Sequence, residues 1–315
     1  MKKFMLNCYK WIKMLCGEDV LHVEQALGKN FVPAELQGYF NDLTDKVLRC
    51  ETIDESDLPC NYTNTGEKCR LIVAVLQYGL GSYDLYLSTS EKKYYDKFIA
   101  SVNYIAEKQK EDGSLDIYEG IKNLPEEKSA MTQGQAASLL LRAYKQTGEY
   151  KYFTKAKDAI DYMLRSTEDG GTTVYNTDQT FYFQELFDKG QNAILNGWIF
   201  AFFGLYDFCL VSDNEKYVKL MEKSIEYLAE SIKKYDRKYW SDYNQENVIA
   251  SPFYHKLHIA QLEALSMISD RKEFSYYKMK WERQYANRFI YFRAFTVKAF
   301  QKLKNPNDAK LVIVK

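Results

Sequence analysis

Glycine and proline are scarce. The chain of 315 residues holds 15 glycines and 5 prolines, too few turn formers for an ordinary sandwich, barrel or propeller. Its 46% hydrophobic fraction is too high for a disordered chain. Helices joined by short turns remain. Histidine is rarer still, with only His22, His255 and His258. None of the six cysteines forms a CxxC pair, which argues against a zinc ribbon, and a chain of this length needs no disulfide framework. No window approaches 18 consecutive apolar residues, so no transmembrane span is expected. The start, MKKFMLNCYKWIKML, is basic but has no uninterrupted apolar stretch. It reads as a helix rather than a signal peptide, and the cytoplasm is the expected location. Neither sign of charge is in excess, with 43 basic and 43 acidic residues. A broad nucleic-acid surface would leave a basic surplus, so no nucleic-acid partner is expected. GxSxG, GxGxxG and P-loop patterns are missing, and Gly79-Leu80-Gly81 lies in a helical stretch with no strand before it. Nucleotide chemistry has no support, a DDxxD-type diphosphate site is absent, and no cofactor is expected.

What is plentiful is aromatic, with 27 Tyr, 18 Phe and 4 Trp. Tyrosines ten apart, Tyr94/Tyr104, Tyr152/Tyr162 and Tyr217/Tyr227, mark three lysine-rich segments. In each, apolar residues recur at helical spacing. Another helical stretch precedes each one, and the turns between are short and polar (STSEK, QTGE, SDNE). The step of about 60 residues fits an αα-hairpin plus a loop. A fourth hairpin runs through HIAQLEALSMI and FSYYKMKWERQY. Such units bury their apolar faces only against their neighbours. The expected fold is all-α: an α/α toroid of about four hairpins over residues 70–315, with a helix (Phe4, Cys8, Trp11, Leu15) and an irregular cap in residues 1–69. The helix would cap its own ring or pair two copies as a homodimer.

Three long loops must emerge at one end of such a ring: GSLDIYEGIKNLPEEKSAM, DGGTTVYNTDQTFYFQELFDKGQ and YDRKYWSDYNQENVIASPFYHK. They carry Tyr, Trp, Gln, Glu and Asp, so the ligand site belongs at the loop-rich end. Glu185 stands in the most aromatic of them, where desolvation would raise its pKa and suit it to proton transfer. Tyr243 and Tyr254 flank the loop before the last hairpin. Trp240 is the candidate for stacking on a sugar face. His255 and His258 are spaced i, i+3, but with no HExxH pattern and no nearby carboxylate pair a metal is not expected.

Four segments in order resemble the C-terminal domain of the glucuronyl C5-epimerases, which convert glucuronate to iduronate in heparan-type chains. Leu76-Gln77-Tyr78-Gly79-Leu80 is similar to the family's QYGL segment. Met131-Thr132-Gln133-Gly134-Gln135-Ala136 with Leu141-Arg142-Ala143-Tyr144 is similar to MAQGQA…VRAY. Leu195-Asn196-Gly197-Trp198 with Gly204-Leu205-Tyr206-Asp207 resembles LNGF…GLYDL, and Tyr254-His255 with His258-Ile259 and Gln261-Leu262 resembles DYHxxHIxQL. The resemblance covers roughly residues 35–290 and implies an α/α barrel of four hairpins.

It also implies a site. Glu185 matches the family glutamate ten residues before LNG, Tyr254 the tyrosine of DYH, and Tyr243 the tyrosine of the preceding SYYD segment. Leu186 stands where the family has tyrosine, and Glu246 where it has arginine. The expected reaction is epimerisation at carbon 5 of a uronate in a polysaccharide, with Glu185, Tyr243 and Tyr254 exchanging the proton. Gln133, Gln135, Asn196, His255 and His258 would hold the substrate. The two departures motivate an alternative, a non-catalytic glycan-binding relative. A uronate lyase or a hydrolase on the same fold is a further one, the latter with Asp242 or Glu119 as second carboxylate.

Overall fold

The computed structural model describes residues 22–63, 66–121, 128–185, 193–304 and 313–314. The chain folds as an α/α toroid. Four hairpins follow one another: α1 (Ile72–Thr89) with α2 (Lys92–Lys108), α3 (Ala130–Thr147) with α4 (Tyr150–Leu164), α5 (Leu195–Cys209) with α6 (Glu215–Ser231), and α7 (Pro252–Ile268) with α8 (Lys272–Ala286). A further helix, α9 (Arg288–Lys304), ends the series. The expected N-terminal helix lies outside the described residues, as does Leu186.

In the four hairpins the first helix of each (α1, α3, α5, α7) forms the inner wall and the second (α2, α4, α6, α8) the outer. In α5 every residue from Leu195 to Phe208 is buried, so LNGWIFAFFGLYDF has no polar face. Its outer partner α6 buries one stripe through Tyr217, Ser224, Ile225 and Leu228 and gives its lysines to water. Two glycines let the inner helices approach. A Cβ on Gly204 would overlap the backbone of Gly134, so α3 and α5 touch main chain to main chain there. The hairpin turns are sharp: α1 ends on Ser90 and α3 on Gly148, both left-handed.

Because each inner helix is entered from a long loop and left through a short turn, the loops gather at the inner helices' N-terminal ends. Strands are few and short. β1 (Asn61–Thr63), β2 (Lys68–Leu71) and β3 (Tyr118–Glu119) pair antiparallel with β6 (Ile313–Val314) in the order β3-β2-β1-β6. β4 (Thr173–Tyr175) pairs with β5 (Phe181–Phe183). The aromatic loop before Glu185 is therefore a strand, with Phe181, Tyr182 and Phe183 all buried.

The turn end of the ring is plugged by residues 30–43. Phe40 stacks on Phe203 with ring centroids 3.9 Å apart. Arg142 donates from Nε to the Gln37 carbonyl and from Nη2 to that of Gly38, both at 2.9 Å, while its Nη1 pairs with Asp207 at 2.6 Å. Asp84 accepts the Tyr39 N–H at 3.1 Å. The stretch leading into the plug ties the last hairpin to the first: Glu24 pairs with Lys256, and Asn30 donates to the Asp84 carbonyl.

Candidate active site

The site is organised by the N-terminus of α5. Leu195 N–H donates to the Tyr243 carbonyl at 3.1 Å. Two residues on, the Gly197 N–H bonds to the Glu185 carboxylate. A helix N-terminus favours negative charge, so its first turn fixes a carboxylate and the loop that bears a phenol. Asn196 adds a bond from Nδ2 to Glu185 Oε2 at 3.3 Å. Gly197 is required, since a Cβ there would overlap the carboxylate.

Tyr243 is held at the head of a tight turn in which its N–H meets the Val248 carbonyl at 2.6 Å. Asn244 Oδ1 accepts the N–H groups of Glu246 and Val248. The rings of Tyr243 and Tyr254 lie 4.8 Å apart and their hydroxyls are hydrogen-bonded. Tyr254 comes from the first turn of α7, which Pro252 opens and Ser251 Oγ caps by accepting the Tyr254 N–H at 3.3 Å. Glu185 acts electrostatically on Tyr243. The carboxylate and the two phenols thus form one group, built from three separate stretches of chain.

Burial sets their chemistry. It lifts the Glu185 carboxyl to about 8, against the opposing Gly197 N–H. It drives the Tyr243 phenol well above its ordinary value, and the Glu185 charge and Tyr254 add to the rise. A carboxylate that holds its proton strongly is a competent base once ionised, and a phenol that resists ionisation is a donor rather than a base.

Beside this group, Ser241 Oγ lies 2.8 Å from His255 Nδ1 and 2.9 Å from His258 Nδ1. His255 Nε2 meets the Trp281 carbonyl at 3.1 Å. A carbonyl only accepts, so Nε2 carries the proton. His255 Nδ1 is then an acceptor, as the Ser241 N–H pointing at it from 3.1 Å requires. The Ser241 hydroxyl donates to that nitrogen and accepts from His258 Nδ1–H. His258 is left with a bare lone pair on Nε2, fully buried and unpartnered. Burial pushes His258 down to about 3 and, with His258 beside it, His255 far below its ordinary value. Both rings are neutral, which does not suit them to balance a substrate carboxylate.

The remaining expected residues divide. Asn196 is in the site. Gln133 donates to the Leu115 carbonyl at 3.2 Å, with Oε1 unpaired. Gln135 lies beside the Tyr39 hydroxyl of the plug. Trp240 corrects the sequence reading. It is fully buried, stacked on His255 at 3.6 Å, with its N–H on the Ala250 carbonyl, so it seals the loop and offers no face to a sugar. The second carboxylates weighed for hydrolysis are both engaged: Asp242 pairs with Arg237 at 2.7 Å, and Glu119 with Lys108 at 2.6 Å.

Three contributors were not singled out from the sequence. Ser241 sits unremarked between Trp240 and Tyr243. Gln261 donates to the Asn196 carbonyl at 3.1 Å. Lys298, from α9, donates to the Ile249 carbonyl at 2.8 Å and stands 5.9 Å over the Tyr243 ring. One lysine in a helix with five cations gives no sequence signal.

The class is thus an α/α toroid with a carboxylate–diphenol site at its loop-rich end. Residues 109–283 match the family described as D-glucuronyl C5-epimerase C-terminus, and the chain belongs to that family. It is 24% identical over 172 residues to the D-glucuronyl C5-epimerase of Caenorhabditis elegans, covering 49% of this chain and 28% of that protein. It is 27% identical over 158 residues to an uncharacterized protein of Methanocaldococcus jannaschii, covering 49% of this chain and 51% of that one. The matched stretch therefore spans about half, or less, of these relatives. Among solved structures, cellobiose 2-epimerase from Spirochaeta thermophila is similar with a TM-score of 0.51 at 9% identity, over 76% of this chain and 65% of that one. An unsaturated glucuronyl hydrolase specific for heparin is similar with a TM-score of 0.50 at 10% identity, over 68% and 62%. At such identities the likeness is one of fold.

Proposed function

We propose that this protein is a uronyl 5-epimerase that inverts carbon 5 of D-glucuronate residues in a polysaccharide to give L-iduronate. One observation carries the reading: a carboxylate anchored on a helix N-terminus meets a hydrogen-bonded pair of phenols, and the two kinds of group hold protons of very different acidity. The ionised Glu185 takes the carbon-5 proton. The C–H electron pair moves into the adjoining carboxylate, giving an enolate-like intermediate. A phenol of the Tyr243–Tyr254 pair delivers its proton to the opposite face. The new C–H bond has the other configuration; Glu185 then releases its proton to water and the phenol regains one from water, so both groups return to their starting states. Asn196 holds Glu185 in place, and the neutral His258 offers a lone pair to a hydroxyl donor. The engagement of Asp242 by Arg237 and of Glu119 by Lys108 disfavours a two-carboxylate hydrolase.

The test is exchange in heavy water with a glucuronate polymer of the heparosan type. Deuterium is expected at carbon 5, and Glu185→Gln and Tyr254→Phe should each lower incorporation by about 10²-fold or more. Unsaturated ends in place of exchange would make the protein a lyase with the same base. Saturable binding of the polymer with neither result would make it a glycan-binding protein.

A further inference from the structure

The last helix carries two apolar faces. One side of α9 sets Ala294 fully buried and Ile290, Tyr291 and Val297 half-buried against Trp240 and Ile249. Gln301 bonds the Ile249 N–H and the Asn247 carbonyl, and Lys298 the Ile249 carbonyl. This side clamps the loop that bears Tyr243. The opposite side is a stripe of Phe289, Phe292, Phe300 and Leu303, confined at helical pitch to an arc of about 80°. Phe289 is 88% exposed and Phe292 70%, and the other two are more than half exposed. Half of the large apolar side chains exposed among the described residues fall between Tyr276 and Leu303.

Charge is as unevenly placed. Residues 271–304 hold ten Lys or Arg and two Glu in a chain of zero net charge, and α9 has five cations and no acid. On the helical wheel Arg293 and Lys304 border the stripe on one side and Arg288 on the other.

A stripe of this kind marks an interaction surface. A second copy is disfavoured, because a two-fold interface sets a patch against itself and would oppose two cationic faces. A nucleic acid or glycan can stack on single rings, but it would leave most of a row of three phenyl rings and a leucine in water. Aromatic rings bordered by Arg and Lys match a lipid surface, where the rings enter the acyl boundary and the cations meet phosphates. We infer that α9 seats this protein on an anionic membrane surface, lying in the interface plane. It does not cross: among the described residues no helix is long and apolar enough to span a bilayer. Since the packed face of α9 holds loop 236–250, the seating also fixes that loop relative to the bilayer. The inference is independent of the proposed reaction.

The experiment is co-sedimentation of the full chain with phosphatidylcholine vesicles, plain or carrying about 30% phosphatidylglycerol. Binding is expected to the anionic vesicles, to fall as salt rises, and to be at least about tenfold weaker on the neutral ones. The F289E/F292E variant should lose it by about tenfold or more per ring. Both rings face solvent, so the variant should melt like the wild type. R288E/K302E should weaken binding and flatten its salt dependence. A wild type that ignores anionic vesicles overturns the inference, as does a folded F289E/F292E variant that binds them unchanged. So does capture of RNA or heparosan with no vesicle binding, or a wild-type dimer that F289E/F292E turns into monomer.

Discussion

The two ends of the ring keep carboxylates in different company, Asp84 and Asp207 fully buried at the turn end and Glu185 partly buried at the loop end. At the turn end Asp207 and Asp84 surround Arg142, whose guanidinium also serves two carbonyls of the plug. At the loop end Glu185 rests on a helix N-terminus and an amide, and no lysine or arginine among the described residues pairs with it. Four hydrogen bonds leave the Arg142 guanidinium, to Asp207 and to the carbonyls of Gln37, Gly38 and Ser138. Buried polar atoms without a partner lie at both ends, Asp207 Oδ1 and the Tyr39 hydroxyl at one, His258 Nε2, Asn196 Oδ1 and Gln261 Oε1 at the other. A buried charge with its countercharge in place holds a fold together. One without it stays poised for a proton. By this contrast the turn end holds the fold together and the loop end suits the proposed chemistry.

The largest effects should separate the two. Replacing Arg142 with Met leaves buried carboxylates uncompensated and should cost about 3–5 kcal/mol of stability, read by urea unfolding, with exchange per folded molecule retained. Glu185→Gln should do the reverse, abolishing exchange while leaving the melting temperature equal or higher, because the amide keeps the shape of a carboxyl whose ionised form has no cationic partner. Equal loss of stability in both variants would erase the distinction. A smaller perturbation keeps the Glu185 carboxylate and moves it. Gly197→Ala puts a methyl where the carboxylate lies, so exchange should fall by about tenfold or more, on the scale of a misplaced catalytic group, while the far end stays intact by hydrogen exchange at Arg142 and Asp207.

Titration distinguishes the ends again. If Glu185 is the base, the rate limit set by the free enzyme should rise with pH through about 8, since only the ionised form accepts a proton. A rate that falls through that range would make it the acid. Asp84 works on stability instead. Burial raises it to about 7, against Arg142 and the Tyr39 N–H, and the unfolded value is about 3.9. A raised carboxyl favours the fold while protonated, so its contribution is complete below about pH 4 and is lost as pH climbs towards 7, by at most about 1.4 kcal/mol per unit. Asp84→Asn should remove that part of the slope and leave the rate profile unchanged.

The architecture was legible in the chain because helical periodicity and short polar turns are local signals, repeated four times. The plug was not: Arg142 and Asp207 look like ordinary charges on separate helices, and nothing in the sequence pairs them with each other or Arg142 with the Gln37 and Gly38 carbonyls. Within the site, Glu185, Tyr243 and Tyr254 were picked out by an aromatic loop and a family resemblance, and the fold gathers them. Trp240 misled because an aromatic residue on a polar loop reads as exposed, whereas His255 and the last helix cover it. Ser241 could not be found, since a hydroxyl that sets the tautomers of two rings matters through geometry alone.

That hydroxyl offers the finest test of the contrast. In the wild type His258 should carry its proton on Nδ1 and a bare lone pair on Nε2, which long-range proton–nitrogen spectra of labelled protein report directly. Ser241→Ala removes the acceptor of the Nδ1 proton. His258 should then mix both tautomers, and exchange should fall by several-fold to about tenfold, near the value of one hydrogen bond. Ser241→Thr, which restores the hydroxyl, should recover both the spectrum and the rate. If the alanine variant keeps a single Nδ1–H tautomer yet loses activity, Ser241 serves the loop's packing and not the ring. If the wild type shows Nε2–H on His258, the ring turns its lone pair to Ser241 instead, and the tautomer assigned to His258 from the Ser241 hydroxyl is wrong.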